Sequence, residues 1–562
     1  MEDKIVETKK CINCWIVFTL LQWDIDMLDR LSPIIWNKKY AFPLPTLCPK
    51  CSLQKKLSFR LDNKLYRRTC DFSGKDIISV YSPDKPFKIY DQNIRQSDQW
   101  DPLEYGITYD PTQPFFHQFA LLLQKVPRFA VMNEFSEKSE YCHHSSHLKN
   151  CYLIFASAND QDCYYGYRVI DSENVYDSIF VTNSKNIYES VNIDNWYSLF
   201  FCQGCKDCSY SRYLYNCEGC HNCLWCVNLN NASYCIYNKE YTKEEYQKIF
   251  DQEIKKFDRK RLYEFSLPFP RKYGDIIHSE NVIGDIIYRS KNVFMGFNVN
   301  DSENIRYSRD MYNHMTNCMS CFSWYGPVDR SYESIATGDG WYNVYFSYSC
   351  YPSTDACHCF YCYGCSNIFG CIGLRNKSYC IFNKQYTETE YTALVPQIIE
   401  KMIGDWEWWE FCPATMSDFG YNETVGQEYF PLKREEAVDQ WFNRSDYEAP
   451  IPKVEKTLQA NQLPDDIQQV SDDILNQAII CEISWKPFRI IKQELEFYRK
   501  NKLQLPHKHP DVRHKERMAM RQPRQLRERK CAKCWVDIKT SYSPERPEIV
   551  YCEQCYNKEV YW

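Results

Sequence analysis

The sequence predicts a mainly β chain with some helix: two tandem β-solenoid (β-helix-like) units, each capped by a helix, flanked at both termini by related zinc-ribbon modules. Three observations predict it. Cys217 to Tyr246 (CEGCHNCLWCVNLNNASYCIYNKEYTKEEY) matches Cys362 to Tyr391 (CYGCSNIFGCIGLRNKSYCIFNKQYTETEY) without a gap, carrying Cys235 onto Cys380. Within the central region a polar residue, a filler and usually an aromatic recur twelve residues apart: Asn150-Cys151-Tyr152, Asp162-Cys163-Tyr164, Asn174-Val175-Tyr176, Asn186-Ile187-Tyr188. That period is too short for helical repeats and suits short strands stacked coil on coil. Paired C-x-x-C knuckles stand near both ends.

Bulk composition sets limits. The chain has 562 residues, a net charge of −6, 45 Tyr and 31 Cys. The length is enough for several cores, and the charge argues against a globally basic nucleic-acid binder, leaving only local patches for a polyanion. No apolar segment follows the N-terminus and no run of about 18 apolar residues occurs, so a reducing, cytoplasmic setting without a membrane span is expected. There, cysteines are metal ligands or small apolar filler before they are disulfides.

Taken in order, residues 1–95 form an N-terminal module with Cys11, Cys14, Cys48 and Cys51 as one thiolate quartet. Four soft thiolates select zinc over magnesium or calcium; free core cysteines are the alternative. Residues 96–138 are a helical connector, with Phe115, Phe119, Leu122 and Leu123 at helical spacing. Residues 139–258 and 259–403 are the two solenoid units. Asn or Asp at their corners suits left-handed backbone and side-chain ladders. The following residue points inward, where Cys151 and Cys163 exchange with Val175, Ile187, Val293 and Ile305, so these cysteines fill space.

Cys217, Cys220, Cys223 and Cys226 imitate an iron–sulfur run, but the tandem copy places Ile368 at one position, which argues against a cluster. Cys142, His143, His144 and His147 are expected to be a surface group near the first coil rather than the alternative, a metal site. Capping helices are expected over Tyr241–Phe257 and Tyr386–Met402, where Thr242/Glu245 and Thr387/Glu390 make capping boxes. Trp406, Trp408 and Trp409 are expected to crowd into an aromatic knot. Residues 404–470 are an irregular linker with a short helix near Lys433 to Phe442, and 471–562 is the C-terminal module.

The two terminal modules are related. One ungapped alignment carries Cys70 onto Cys531, and Leu44, Pro45, Pro49 and Arg60 onto Leu505, Pro506, Pro510 and Arg521. They have lost opposite halves. The N-terminal module keeps its first quartet and turns the second into Cys70, Ser73, Asp91 and Ile94; the C-terminal module turns the first into Cys481, Ser484, His509 and Val512 and keeps Cys531, Cys534, Cys552 and Cys555. Ile and Val cannot ligate a metal, so two zinc ions and two metal-free relics are predicted.

The strongest local charge lies within the C-terminal module, between Leu505 and Lys530. Lys508, Arg513, Lys515, Arg517, Arg521, Arg524, Arg527 and Arg529 form a basic stretch beside the last ribbon. It is either a solvated face or a phosphate-contacting site for RNA or a ribonucleoprotein.

The CPKC knuckle, SGKDIISVYSP, the Asn-Cys-Tyr coils, YCIFNKQYT, GYNETVGQEYFPL, FRIIKQELEFYRK and EIVYCEQCY together resemble an uncharacterised Cys- and Tyr-rich family of reduced-genome candidate-phyla bacteria, zinc ribbon plus solenoid. The resemblance spans nearly the whole chain and implies no activity. The last ribbon is also similar to small zinc ribbons linked with nucleic-acid machinery, an analogy only. No phosphate loop, nucleotide fingerprint, nucleophile elbow or HExxH occurs, so a non-enzymatic binding protein is favoured. Two alternatives stay open: a β-helix enzyme acting on a polysaccharide, motivated by Asp301, Asp310, Trp324, Asp329, Asp339 and Trp341, and a protein-assembly scaffold using tyrosine-rich faces.

Overall fold

The computed structural model describes residues 4–35, 37–254, 259–338, 340–408, 410–448 and 456–561. Asp339 and Trp409 therefore lie outside the described residues, as does the side chain of Trp324.

The predicted solenoids are present, and their unit is finer than the twelve-residue period. From His144 to Tyr237 every third residue takes a left-handed conformation, with φ between 46° and 65°. Each coil therefore has four sides of three residues. The parallel ladder repeats with a constant twelve-residue step: Tyr164 pairs with Tyr176, Tyr176 with Tyr188, and Tyr188 with Phe200. Asn and Asp tolerate such corners, but Leu153, Tyr165, Phe180 and Trp225 occupy them too. A left-handed L-residue costs about 1–2 kcal/mol, and the continuous parallel ladder offsets that cost at each turn. The predicted side-chain ladders are formed where Asn recurs: Asn216 donates to Asn228 at 2.8 Å, and Asn292 to Asn304 at 3.1 Å.

The residue after each corner points inward, four per coil. One coil contributes Val175, Ser178, Val181 and Ser184, and a later one Leu199, Cys202, Cys205 and Cys208, all buried. The bore is too narrow for a large residue at every position, which is why small Ser and Cys are so frequent. They also serve the backbone. Ser178 Oγ donates to the Tyr176 carbonyl at 2.8 Å and accepts from the Ser190 N–H one coil on at 3.0 Å; Cys208 Sγ accepts from the Cys220 N–H at 3.0 Å. The second solenoid follows the same plan less regularly. Glu280 pairs with Lys291, one residue short of the usual step, and Val328 with Trp341, one residue beyond it.

The capping helices run over Lys243–Glu253 and Glu388–Gly404, each opened by the predicted Thr/Glu capping box. The connector helix is Phe115–Lys125. The first coil begins earlier than expected, since Asn133–Glu134 already pairs in parallel with Ser145–Ser146. The short helix of the linker is Arg434–Asp439. The tryptophan knot is only partly formed: Trp408 is buried against Phe42 and Phe346, whereas Trp406 is 77% exposed.

The terminal modules dock crosswise. The N-terminal helices Gln22–Leu31 and Pro49–Leu57 place Met27, Leu28, Leu53 and Leu57 in one core with Phe322, Tyr332 and Phe346 of the second solenoid. Buried ion pairs fix that contact: Arg306 with Asp24 at 2.5 Å, and Lys56 with Glu333 at 2.6 Å. The C-terminal module places Ile479, Leu495, Phe497 and Tyr498 against Tyr176, Tyr188 and Phe200 of the first solenoid. Phe497 stacks on Tyr176 with centroids 3.7 Å apart. Among the described residues, no helix is long and apolar enough to cross a membrane.

Candidate metal centres and the basic arm

Each terminal module is built from a tight knuckle in which the residue after the fourth position turns left-handed. Trp15, Gly74, Trp485 and Trp535 hold this place, with φ between 58° and 71°. Backbone N–H groups, from the turn or from the opposite knuckle, point at the first sulfur. Cys11 Sγ accepts from Cys48 N, Cys70 Sγ from Asp91 N and Cys531 Sγ from Cys552 N, all at 3.3 Å, and Cys481 Sγ accepts from Ser484 N at 3.4 Å. All four halves thus share one local fold, including the two relics.

Only two of them gather four sulfurs. Cys11, Cys14, Cys48 and Cys51 form one group, and Cys531, Cys534, Cys552 and Cys555 the other, every Sγ within 4.8 Å of its partners. Cys14 and Cys48 Sγ lie 3.7 Å apart, Cys534 and Cys552 Sγ 3.6 Å. A tetrahedral ion with Zn–S bonds of about 2.3 Å separates its sulfurs by about 3.8 Å, so both quartets have the size of a zinc site.

The charge distribution agrees with a cation's place. The Cys51 thiol beside it, with that residue's N–H, holds the Cys48 thiol down to about 5. Burial would raise Cys531, but the N–H groups of Cys534 and Cys552 outweigh it and bring it to about 6. Cys14 and Cys51 in the first group and Cys552 and Cys555 in the second are pushed up, Cys555 to about 12, by burial together with the neighbouring cysteine sulfurs. All four positions around each centre are protein sulfur, which is the closed arrangement of a structural ion.

The relics gather no such set. Asp91 caps the helix Gln92–Gln96 by accepting from Asn93 N, and His509 caps Pro510–Ala519 by accepting from Asp511 N. Nor do the two suggestive groups of the first solenoid. Cys217, Cys220, Cys223 and Cys226 are inward residues of the bore and belong to no ligand group among the described residues. Their C-x-x-C spacing is the three-residue side of a coil.

The Cys142 and histidine knot corrects the expectation of a surface group. Cys142, His143 and His144 are buried, and only His147 faces solvent. His143 Nδ1 accepts from Met132 N at 3.0 Å, and His144 Nδ1 lies 2.7 Å from Asp62. Burial lowers the pKa of both imidazoles.

The basic stretch is not a free cationic face. It runs as an arm from the helix Pro510–Ala519 across both solenoids. Arg513 contacts Asp177, and Arg517 lies 3.0 Å from both Asp177 and Glu189, all from the first solenoid side. Arg521 donates to Asn192 of the first solenoid and Asn298 of the second, each at 3.1 Å, with its guanidinium 3.4 Å over Phe180. Arg524 makes two 2.7 Å bonds to Asp310 of the second solenoid. Burial alone would raise the Asp310 carboxyl, but Arg168 and Arg524 hold it below the usual carboxylate range. Arg529 donates to the carbonyls of Ser543 and Glu548, and Lys508 pairs with Glu516 at 2.7 Å. Lys515 is exposed, and Arg527 is half-buried on the ribbon strand Arg527–Lys530. Sequence reasoning identified the cations but missed their partners, because Asp177, Glu189 and Asp310 lie hundreds of positions away and each looks like an ordinary coil corner or turn residue.

The residues behind the enzymatic alternative are scattered. Asp310 is in the arm's ion pair, Asp329 accepts from Thr316 and Asn317, Trp341 is buried, and Asp301 pairs with Arg289 at 2.7 Å. Comparison of the chain with protein-family models, with curated proteins and with solved structures finds no match.

Proposed function

We propose that this is a non-enzymatic, zinc-stabilised scaffold protein, in which two zinc-bearing end modules hold a pair of rigid solenoids in a fixed relation for the binding of partners. The observation that carries it is the closed character of both quartets: four sulfurs at zinc spacing leave no open position for substrate. The arm supports it, since Arg521 ties the two solenoids together within one side chain. The test is metal content. Full-length protein should carry two zinc ions per chain, falling to one in C531S/C534S; four ions, or none after expression in zinc-supplemented medium, would refute the reading.

Contact with RNA or a ribonucleoprotein is the second reading, supported by Lys515 and Arg527 on the arm and by Lys508 and Lys530, whose ion pairs with Glu516 and Asp537 lie at the surface. Since Arg513, Arg517, Arg521 and Arg524 already face carboxylates or amides, phosphate contacts fall to those outer cations. A structured-RNA pool should bind less tightly as salt rises and less tightly again in K508A/K515A/R527A; no binding at low salt removes this reading and leaves the scaffold intact.

A further inference from the structure

Between the solenoids lies a cleft of about 640 Å³, lined by successive coils of both, by the arm at Arg521 and Gln522, and by the last ribbon's Tyr542, Tyr556 and Tyr561. Its chemistry is distinctive. Six Lys or Arg face six Asp or Glu, so the cleft carries no net charge. Its cations are also engaged: Arg289 with Asp301 at 2.7 Å, Lys272 with Glu553 at 2.8 Å, and Lys206 with Asp275 at 3.7 Å. A polyanion would find little uncompensated positive charge there.

What the cleft does offer is ten side-chain amides and seven aromatic rings. An amide donates and accepts from one small group, as a hydroxyl does, so rows of Asn match rows of hydroxyls. The amides of Asn183, Asn230 and Asn313 make no hydrogen bond to another described residue and remain available to a ligand. Asn183 stands one coil from Asn195 on one wall, as Asn313 does from Asp301 on the other, so polar groups repeat at about the 4.8 Å strand spacing, Asn195 and Asp301 being already bonded to Asp207 and Arg289. A repeating row suits a linear polymer lying along the solenoids. At the ribbon end Tyr542 and Tyr556 are buried, and the exposed ring of Tyr561 suits the C–H face of a sugar ring whose edges carry the hydroxyls.

We propose that the cleft is a binding site for a neutral, linear oligosaccharide. The inference goes beyond the zinc-stabilised scaffold, which does not require a cleft ligand. Bound sugar rings run along the coils, with hydroxyls on Asn183, Asn230 and Asn313 and one ring against Tyr561, which is 53% exposed.

The test uses full-length zinc-loaded protein whose metal content and thermal melt have first been verified, so that a failure here is separable from failure of the scaffold reading. Ligand-observed NMR is recorded with the β-1,4-glucose, β-1,4-N-acetylglucosamine and α-1,4-glucose hexasaccharides, with hexagalacturonate, and with single-stranded RNA. We expect saturation transfer to at least one neutral series, with affinity at least tenfold weaker in N183A/N313A and again in Y561A. N183A/N313A places Ala at two left-handed corners and Y561A removes an edge contact to Tyr556, so the thermal melt of each variant is matched to the parent before its affinity is read. No transfer to any neutral hexasaccharide overturns the proposal. So does neutral binding unaffected by both variants, or variant-sensitive binding confined to hexagalacturonate or RNA.

Discussion

His358 shows how the solenoid treats a single side chain. It occupies an outward corner in a column with Phe346 one coil before it, then Gly370 and Phe382 after it, and it is fully buried under the connector helix. Its ring stacks on Phe346 at 4.7 Å and meets Phe115 and Phe116, and neither ring nitrogen has a hydrogen-bond partner. Burial alone pushes its pKa down to about 3. The unfolded chain therefore takes up the proton first. The stability tied to neutral His358 is complete above the ordinary value near 6.5 and is lost as pH falls from there toward 3, amounting to about 2 kcal/mol at pH 5. Its own column accepts Phe, so H358F should not lower the melting temperature at pH 7, and it should reduce the loss of stability between pH 7 and pH 5 by that amount. Thermal melts at the two pH values check this; an unchanged slope would show that the ring is not held neutral. At this scale the sequence was informative about cysteine and less so about histidine. Comparing Cys151 and Cys163 with Val175 and Ile187 was enough to recognise filler. Nothing local marked His143 and His144 as buried, because the surfaces that cover them come from distant segments, including Asp62.

At the scale of elements, periodicity carried most of the information, but the period of three was hidden. A three-residue side looks like helical spacing when apolar and like a metal knuckle when occupied by Cys, as in Cys217 to Cys226. What separates these from the true knuckles is the companion copy, with Ile at one position, and the terminal pairs' ability to bring four sulfurs together. The arm was the converse case: its charge was obvious and its role was not. Arg524 is buried, and its removal leaves Asp310 in a desolvated site with only part of its compensation. R524A should therefore destabilise by about 3–5 kcal/mol in urea unfolding. The same substitution in a D310N background should cost less, by about 1–3 kcal/mol, because the carboxylate left behind is no longer charged. Equal costs in the two backgrounds would mean that the arm is held by packing alone.

At the scale of the whole molecule, the order of segments along the chain is not their order in space. The helices of the N-terminal module pack on the second solenoid and residues 479–505 of the C-terminal module pack on the first, while Asp62 also reaches His144 and Tyr167 of the first and the last ribbon pairs Val550 with Arg271 at the start of the second. Local patterns cannot report this, since either solenoid offers an aromatic face and either module an apolar one. The pairing is decided by particular partners such as Asp24 with Arg306 and Tyr176 with Phe497. The consequence is a prediction that inverts sequence proximity. Ending the chain at residue 470 removes the module nearest in sequence to the second solenoid, yet strips cover from Tyr176, Tyr188 and Phe200 of the first. Hydrogen exchange on this truncated protein should show lost protection between residues 152 and 215, while residues 315 to 385, still packed on Met27, Leu28 and Leu57, keep theirs. Loss confined to the second solenoid would contradict the crosswise docking. Uniform loss throughout would show instead that the two solenoids and both modules unfold as a single unit, with the buried pairs between them setting the stability of the whole.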